Sequence, residues 1–199
     1  LIDLAKEVGA NAIKFQTHIA EMETLKEAPN PKYFNQENRF DYFNRTSFSL
    51  SQWNKLFTHA KKLGLNFLSS PFSVKAVDLL NKVGVESFKV ASGEVTNYPL
   101  LEKLARIGKP VIMSSGMSNW DELDGAVDIL KSRCDLTLLQ CSSIYPCPYE
   151  LVGLNVMKEM KDRYNCNVGF SDHTEGLSAP IAAAALGATV IDKHLTFSK

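Results

Sequence analysis

The chain has 199 residues with 22 basic and 22 acidic side chains, 45% hydrophobic and 22% charged. That composition suits one sizeable core, and a formal charge of zero gives no general pull toward nucleic acid or an anionic membrane. No apolar run approaches the roughly 20 residues that span a bilayer and no signal segment opens the chain. The four cysteines, Cys134, Cys141, Cys147 and Cys166, show neither metal-type pairing nor a disulfide framework, so they are expected to be reduced in a cytoplasmic protein, with Cys141, Cys147 and Cys166 acting as packing residues.

One pattern recurs along the chain. An amphipathic helix closes on a glycine or a turn, and a short apolar strand follows. The first unit runs through Val8-Gly9-Ala10 into a strand at 12–16. A long stretch over 17–50 comes next, with Pro29, Pro31 and the aromatics Tyr33, Phe34, Phe40, Tyr42 and Phe43. A long insert after a strand end is more often functional than a linker, and its aromatics argue against disorder. The second unit passes Leu63-Gly64-Leu65 into 66–70, the third Val83-Gly84-Val85 into 87–91, and the fourth Gly108 into 110–115. Strands at 136–142, 167–172 and, after Gly187, 189–196 complete seven.

Seven helix-then-strand units predict a parallel sheet with helices outside. The fold class is α/β, and the spacing suits a TIM (β/α)8 barrel. A complete barrel has eight strands and typically ~250 residues. Residues 1–199 are therefore expected to form an incomplete barrel domain, with the first strand and the last helix missing from this chain. On that count the segment alone should aggregate and turn over slowly. A doubly wound open sheet is the structural alternative, but neither G-x-G-x-x-G nor G-x-x-x-x-G-K is present.

Side chains alternate along a strand. With the apolar set packed under the outer helices, the lumen receives Lys14, Gln16, Ser70, Lys89, Ser114, Ser171, His173, Asp192 and His194. Buried cations are costly unless paired, so lysines and histidines at strand ends point to a charged ligand at that face. An ion-pair network that merely stabilises the barrel would need lumen carboxylates, and few are available. Lys14 and Lys89 with the serines suit a small phosphorylated, carboxylated anion. His173 and His194, at neighbouring strand ends, can share one divalent metal, with Asp192 as ligand, orienter or base. The turns at Ser92-Gly93-Glu94 and Ser115-Gly116 let backbone amides approach an anion. His59 is expected on a solvated helix face, and His18 has no reading.

The segments "IKFQ", "FLSSPF", "FKVASGEVTNYPLLEKLA", "GKPVIMSSGM", "LLQCSSIYPCP", "VGFSDHTEG" and "ALGATVIDKHLTF" resemble the sialic acid synthase family, the N-acetylneuraminate and legionaminate synthases. The resemblance implies an enzyme, a metal-dependent transferase that condenses phosphoenolpyruvate with an N-acetylated amino sugar. N-acetylmannosamine or a diacetamido dideoxy hexose would be the acceptor, and the products a nine-carbon 2-keto sugar acid and phosphate. It implies a divalent metal, commonly manganese, with magnesium and cobalt as alternatives. By resemblance, Lys14, Ser70, Lys89, Ser92, Ser114, Ser143 and Ser171 match phosphoenolpyruvate-binding positions. Gln16, Glu94 and Tyr145 match residues near the sugar and the reacting centre, and His173 and His194 the metal ligands. Glu94, Asp192 and Gln16 are the expected catalytic set. Ser143 stands where the family often has Asn, and Asp192 where it often has Glu, one methylene longer. Full-length relatives carry a first-strand Glu and a C-terminal antifreeze-like domain that lends an Arg to the neighbouring subunit. This chain contains neither, and a homodimer is implied for the full-length protein. The competing readings are a Schiff-base aldolase with Lys89 or Lys14 as the amine, and a non-catalytic binding barrel.

Overall fold

A computed structural model describes residues 1–30 and 37–197. Tyr33, Phe34 and Pro31 of the long insert lie outside the described residues. The chain divides into two compact units, Ile2–Glu86 and Ser87–Lys199.

The first unit holds α1 (Ile2–Glu7), β1 (Ala12–Thr17), α2 (Ala20–Glu23), α3 (Arg39–Thr46), α4 (Leu50–Lys62), β2 (Asn66–Pro71) and α5 (Val74–Val83). Strands β1 and β2 pair in parallel, from Ala12↔Asn66 to Thr17↔Pro71. The insert expected over 17–50 thus carries helices α2 and α3. Ser49 starts α4 with a capping box, its side chain bonding to the Gln52 amide while Gln52 bonds back. Phe67 is the aromatic centre of this unit, with Phe15, Phe57 and Trp53 rings at 5.4, 5.7 and 6.3 Å. Trp53 and Phe67 are fully buried.

The second unit holds β3 (Ser87–Val90), α6 (Tyr98–Ile107), β4 (Val111–Ser114), α7 (Trp120–Lys131), β5 (Leu136–Cys141), α8 (Val156–Tyr164), β6 (Asn167–Asp172), α9 (Ser178–Ala185) and β7 (Ile191–Lys193). All neighbouring pairs from β3 to β7 are parallel and follow chain order. A doubly wound sheet reverses its strand order at a switch point. No reversal occurs among these five strands, and the helix–strand order is that of a (β/α) barrel. Helices α5 and α6 close on Gly84 and Gly108 in the left-handed region, at φ 94° and 73°, where a side chain would be strained. Leu100, Leu101 and Leu104 of α6 and Leu130 of α7 are buried with Phe88, Met113 and Leu138 of the strands.

The strand boundaries read from sequence hold to within one or two residues, save at the last. Only Ile191–Lys193 of the expected 189–196 forms a ladder strand, because its partner β6 ends at Asp172, opposite Lys193. His194 therefore lies just past the strand rather than within it.

Outside the core, α7 and α8 are clamped by polar contacts. Arg163 grips Asp124 through Nε–Oδ1 at 2.8 Å and Nη2–Oδ2 at 2.5 Å, and the Tyr164 hydroxyl donates to the same Oδ1 at 2.8 Å. The Arg163 guanidinium and the Tyr164 hydroxyl hold the Asp124 carboxyl down to about 2, below its usual value near 4. A depressed carboxyl stabilises the fold above its unfolded pKa, and that contribution fades as pH falls through the folded value. The stability difference between the parent chain and Asp124→Asn is thus expected to be full at pH 6 and to shrink between about pH 4 and pH 2. Thermal melts across that range test it. A difference that stays constant down to pH 2 would exclude the clamp as its source.

Candidate active site

In the second unit five parallel strands end on one edge, so the residues following them gather there. Lys89 of β3 is only 4% exposed. Its Nζ donates to Ser114 Oγ on β4 at 2.7 Å and to the Val90 carbonyl at 2.8 Å. At the next position outward, Ser92 Oγ accepts the Gly116 amide at 3.1 Å and lies 3.6 Å from Cys141 Sγ on β5. Cys141 in turn lies 4.0 Å from Ser143 Oγ and 4.0 Å from His173 Nδ1. In register, Ser171 of β6 stands between Cys141 and Asp192.

His173 Nδ1 is 2.9 Å from the Ser142 carbonyl oxygen. A carbonyl can only accept, so Nδ1 carries a proton, and in the neutral ring Nε2 is the nitrogen with the free lone pair. The Tyr145 ring lies over His173 at 4.1 Å, and His194 is 5.6 Å from His173, centroid to centroid. Burial works against a charged His173, yet contacts with Cys141 and the Ser142 carbonyl raise its pKa on balance. Burial pushes the Cys141 thiol up, but hydrogen bonds with His173, Ser92 and Ser171 bring it below its ordinary value. Burial also raises the Tyr145 phenol, aided by Cys141 and Asp192. Glu94 sits on the same turn as Ser92, where Asn97 Nδ2 donates to it at 2.8 Å.

The first unit supplies its own strand ends. Lys14 is half-buried, Ser70 buried and Gln16 exposed, with Gln16 and Ser70 opposite one another in register. Two residues further on, His18 is stacked between Phe43 of α3 and Phe72, at 4.0 and 4.1 Å. Its Nδ1 meets Glu23 Oε2 at 2.7 Å. The insert is therefore pinned to the ends of β1 and β2 through a histidine that carried no signal in the sequence. His59 is solvated as expected, with side-chain exposure of 47%, and touches Asp3 at 2.8 Å.

The second unit thus holds Lys89 and Ser114 as one hydrogen-bonded pair at neighbouring strand ends, and Ser92, Ser143, Tyr145, His173 and His194 as a second group of contacts around Cys141, with Ser171 and Asp192 adjacent in register. Two residues of this region escaped the sequence reading. Cys141 is buried, as a packing residue should be, yet it lies at the centre of that second group. The other is Asp172, which pairs with Lys193 on the strand face expected to be apolar. A carboxylate and a lysine at matching positions of neighbouring strands was the available signal. Among the described residues no group of three or more His, Cys, Asp or Glu is arranged to hold a metal ion, so His173 and His194 stand as a pair. No helix among the described residues is long and apolar enough to cross a membrane.

The profile of the NeuB family matches residues 1–199. An uncharacterised protein, MJ1065, of Methanocaldococcus jannaschii is 45% identical over 201 residues, covering 100% of this chain and 57% of that protein. The N,N'-diacetyllegionaminic acid synthase of Campylobacter jejuni is 39% identical over 208 residues, covering 100% of this chain and 62% of the relative. The chain thus spans about three fifths of the length of the curated relatives it matches. Among solved structures, the N-acetylneuraminic acid synthetase of Leptospira borgpetersenii in complex with citrate superposes with a TM-score of 0.87. It is 32% identical, and the match covers 99% of this chain and 66% of that one.

Proposed function

Because this chain belongs to the NeuB family, we propose that it carries the site for condensing phosphoenolpyruvate with an N-acetylated amino sugar. The products are a nine-carbon 2-keto sugar acid and inorganic phosphate. The observation that carries this reading is that one edge of the five parallel strands gathers a buried lysine with its serine, a group of hydroxyls around Cys141, and the His173–His194 pair.

The donor set fits a divalent metal. The bond from His173 Nδ1 to the Ser142 carbonyl leaves Nε2 available, as for a metal-bound histidine oriented by its outer shell. His173 and His194 would hold the ion, with manganese the first candidate. When bound, it supplies Lewis-acid polarisation of the open-chain sugar aldehyde.

The chain's own residues do the remaining work. Lys89, with Ser114 and Ser92, receives the phosphate and carboxylate charge. For Lys14, Ser70 and Gln16 the assignment rests on the resemblance alone, which matches the first two to phosphoenolpyruvate-binding positions and the third to a position near the sugar. Tyr145 is assigned to the sugar. Holding both reactants in line is worth ~7–11 kcal/mol in favourable cases. The phosphoenolpyruvate methylene carbon then bonds to the aldehyde carbon, while the carbonyl π pair moves onto the aldehyde oxygen, which takes up a proton and becomes a hydroxyl. The former enol carbon becomes electron-deficient and takes up water. Asp192 or Glu94 accepts the water proton. Collapse of that adduct breaks the C–O bond to phosphate and leaves the ketone.

Product mass spectrometry with phosphoenolpyruvate and a panel of N-acetyl hexosamines is expected to give one nine-carbon acid and to identify the sugar. Chelation should abolish the condensation and manganese restore it. His173→Ala and His194→Ala should each weaken metal binding by about 10- to 100-fold or more. Undiminished metal affinity in both variants would remove the histidines from the assignment. Trapping of pyruvate by borohydride on Lys89 or Lys14 would favour the Schiff-base aldolase instead.

A further inference from the structure

We propose that the ion pair between Asp172 and Lys193 is a positioning device that sets the spacing of His173 and His194 for their metal. The inference rests on the metal reading above and extends it to two residues which that reading leaves unused.

Each partner of the pair directly precedes one of the histidines. Asp172 closes β6 and Lys193 closes β7, and the two are opposite in register. The Asp172 side chain is fully buried and that of Lys193 is 31% exposed. Lys193 Nζ bonds to the Asp172 carboxylate and also donates to the Thr174 carbonyl at 2.7 Å. The Thr174 amide donates to Asp172 Oδ1 at 2.9 Å. Lys193 thus grips the residues on both sides of His173, while His194 is its own neighbour along the chain. The His173 carbonyl is fixed as well, accepting the Cys147 amide at 2.8 Å.

The two imidazoles sit beyond the last ladder pair, where strand hydrogen bonding no longer sets their separation. The triangle of Asp172, Thr174 and Lys193 takes over that task one residue past the sheet. Rotation of either strand end would move one ring relative to the other. Metal affinity at a two-histidine site depends on the separation and orientation of the two rings. Partners outside the ligand set orient the ligands, and losing them weakens metal binding.

The test compares metal affinity with fold stability. Free Mn2+ is titrated by electron paramagnetic resonance against the parent chain, Lys193→Arg, Lys193→Met, Asp172→Asn and the double variant Asp172→Asn/Lys193→Met. The double variant leaves no orphaned charge, and Asp172→Asn keeps an acceptor for the Thr174 amide, so both should fold if Lys193→Met does not. Folded variants without the pair should bind Mn2+ about 10- to 100-fold more weakly, with an altered bound-Mn2+ spectrum. Lys193→Arg, which keeps the charge, should recover most of the affinity. Parent-like Mn2+ affinity in a folded double variant overturns the inference alone and reduces the pair to a fold clamp. A parent chain that binds no divalent metal overturns the metal reading and this inference with it.

Discussion

Lys89→Met is expected to weaken phosphoenolpyruvate binding by ~2–5 kcal/mol while leaving amino-sugar affinity nearly unchanged, as for loss of one partner of a buried charged contact. Methionine preserves the apolar stem and removes only the ammonium group. In the parent, that group sits under Ser114 and Val90, bonded at 2.7 and 2.8 Å, with the side chain 4% exposed. A lysine held this way is already ordered, so little is lost in fixing it when the anion arrives. Deleting it withdraws the charge proposed to face the phosphate or carboxylate and removes the Ser114 hydroxyl's cationic partner. Arginine should not rescue fully, because a planar fork does not reproduce a point charge in a closed site. Calorimetric titration with each substrate separately measures the effect. Loss of sugar binding with phosphoenolpyruvate binding retained would exchange the assigned roles.

Gly169→Ala is expected to destabilise the chain by at least ~1–3 kcal/mol, the usual range for overpacking, and to disable the histidine pair even in molecules that fold. A Cβ on Gly169 would stand 2.2 Å from the Val190 carbonyl oxygen and 2.7 Å from Leu139 Cδ2. The first obstacle is backbone, and that carbonyl already accepts the Phe170 amide at 2.9 Å. Relief therefore requires β6 and β7 to part, and the two metal-binding candidates follow these two strands. Gly176→Ala is the control. Its Cβ would meet the Tyr149 hydroxyl at 2.3 Å, but that ring is 56% exposed and free to swing outward. Thermal melts of both variants, with Mn2+ titration of the folded fraction, should separate them. Equal melting temperatures for Gly169→Ala and the parent would show that the strands yield more easily than the geometry implies.

The sequence by itself determined the seven helix–strand units, the α/β class and the candidate cluster of lysines, serines and histidines. Those features are written locally. A strand shows its faces through alternation with period two, and a helix end shows itself through the glycine or turn residue that follows. The order Lys89, Ser114, His173, His194 along successive strand ends also follows once parallel strands are assumed, since parallel strands all end on one side. The resemblance of whole segments added the chemistry.

Tertiary structure alone decided which of these groups touch. Lys89 meets Ser114 across 25 residues of chain and Ser92 meets Cys141 across 49, and no local pattern encodes such pairings. Cys141 has the composition of a packing residue, and only the convergence of β3, β5 and β6 surrounds it with Ser92, Ser143 and His173. His18 gained its role from two phenylalanines brought in by a helix of the insert and by the loop after β2. Asp172 and Lys193 occupy positions where alternation predicts apolar side chains. Burial is bearable for the carboxylate there because register places the lysine opposite it, and register is a property of the folded sheet rather than of either strand.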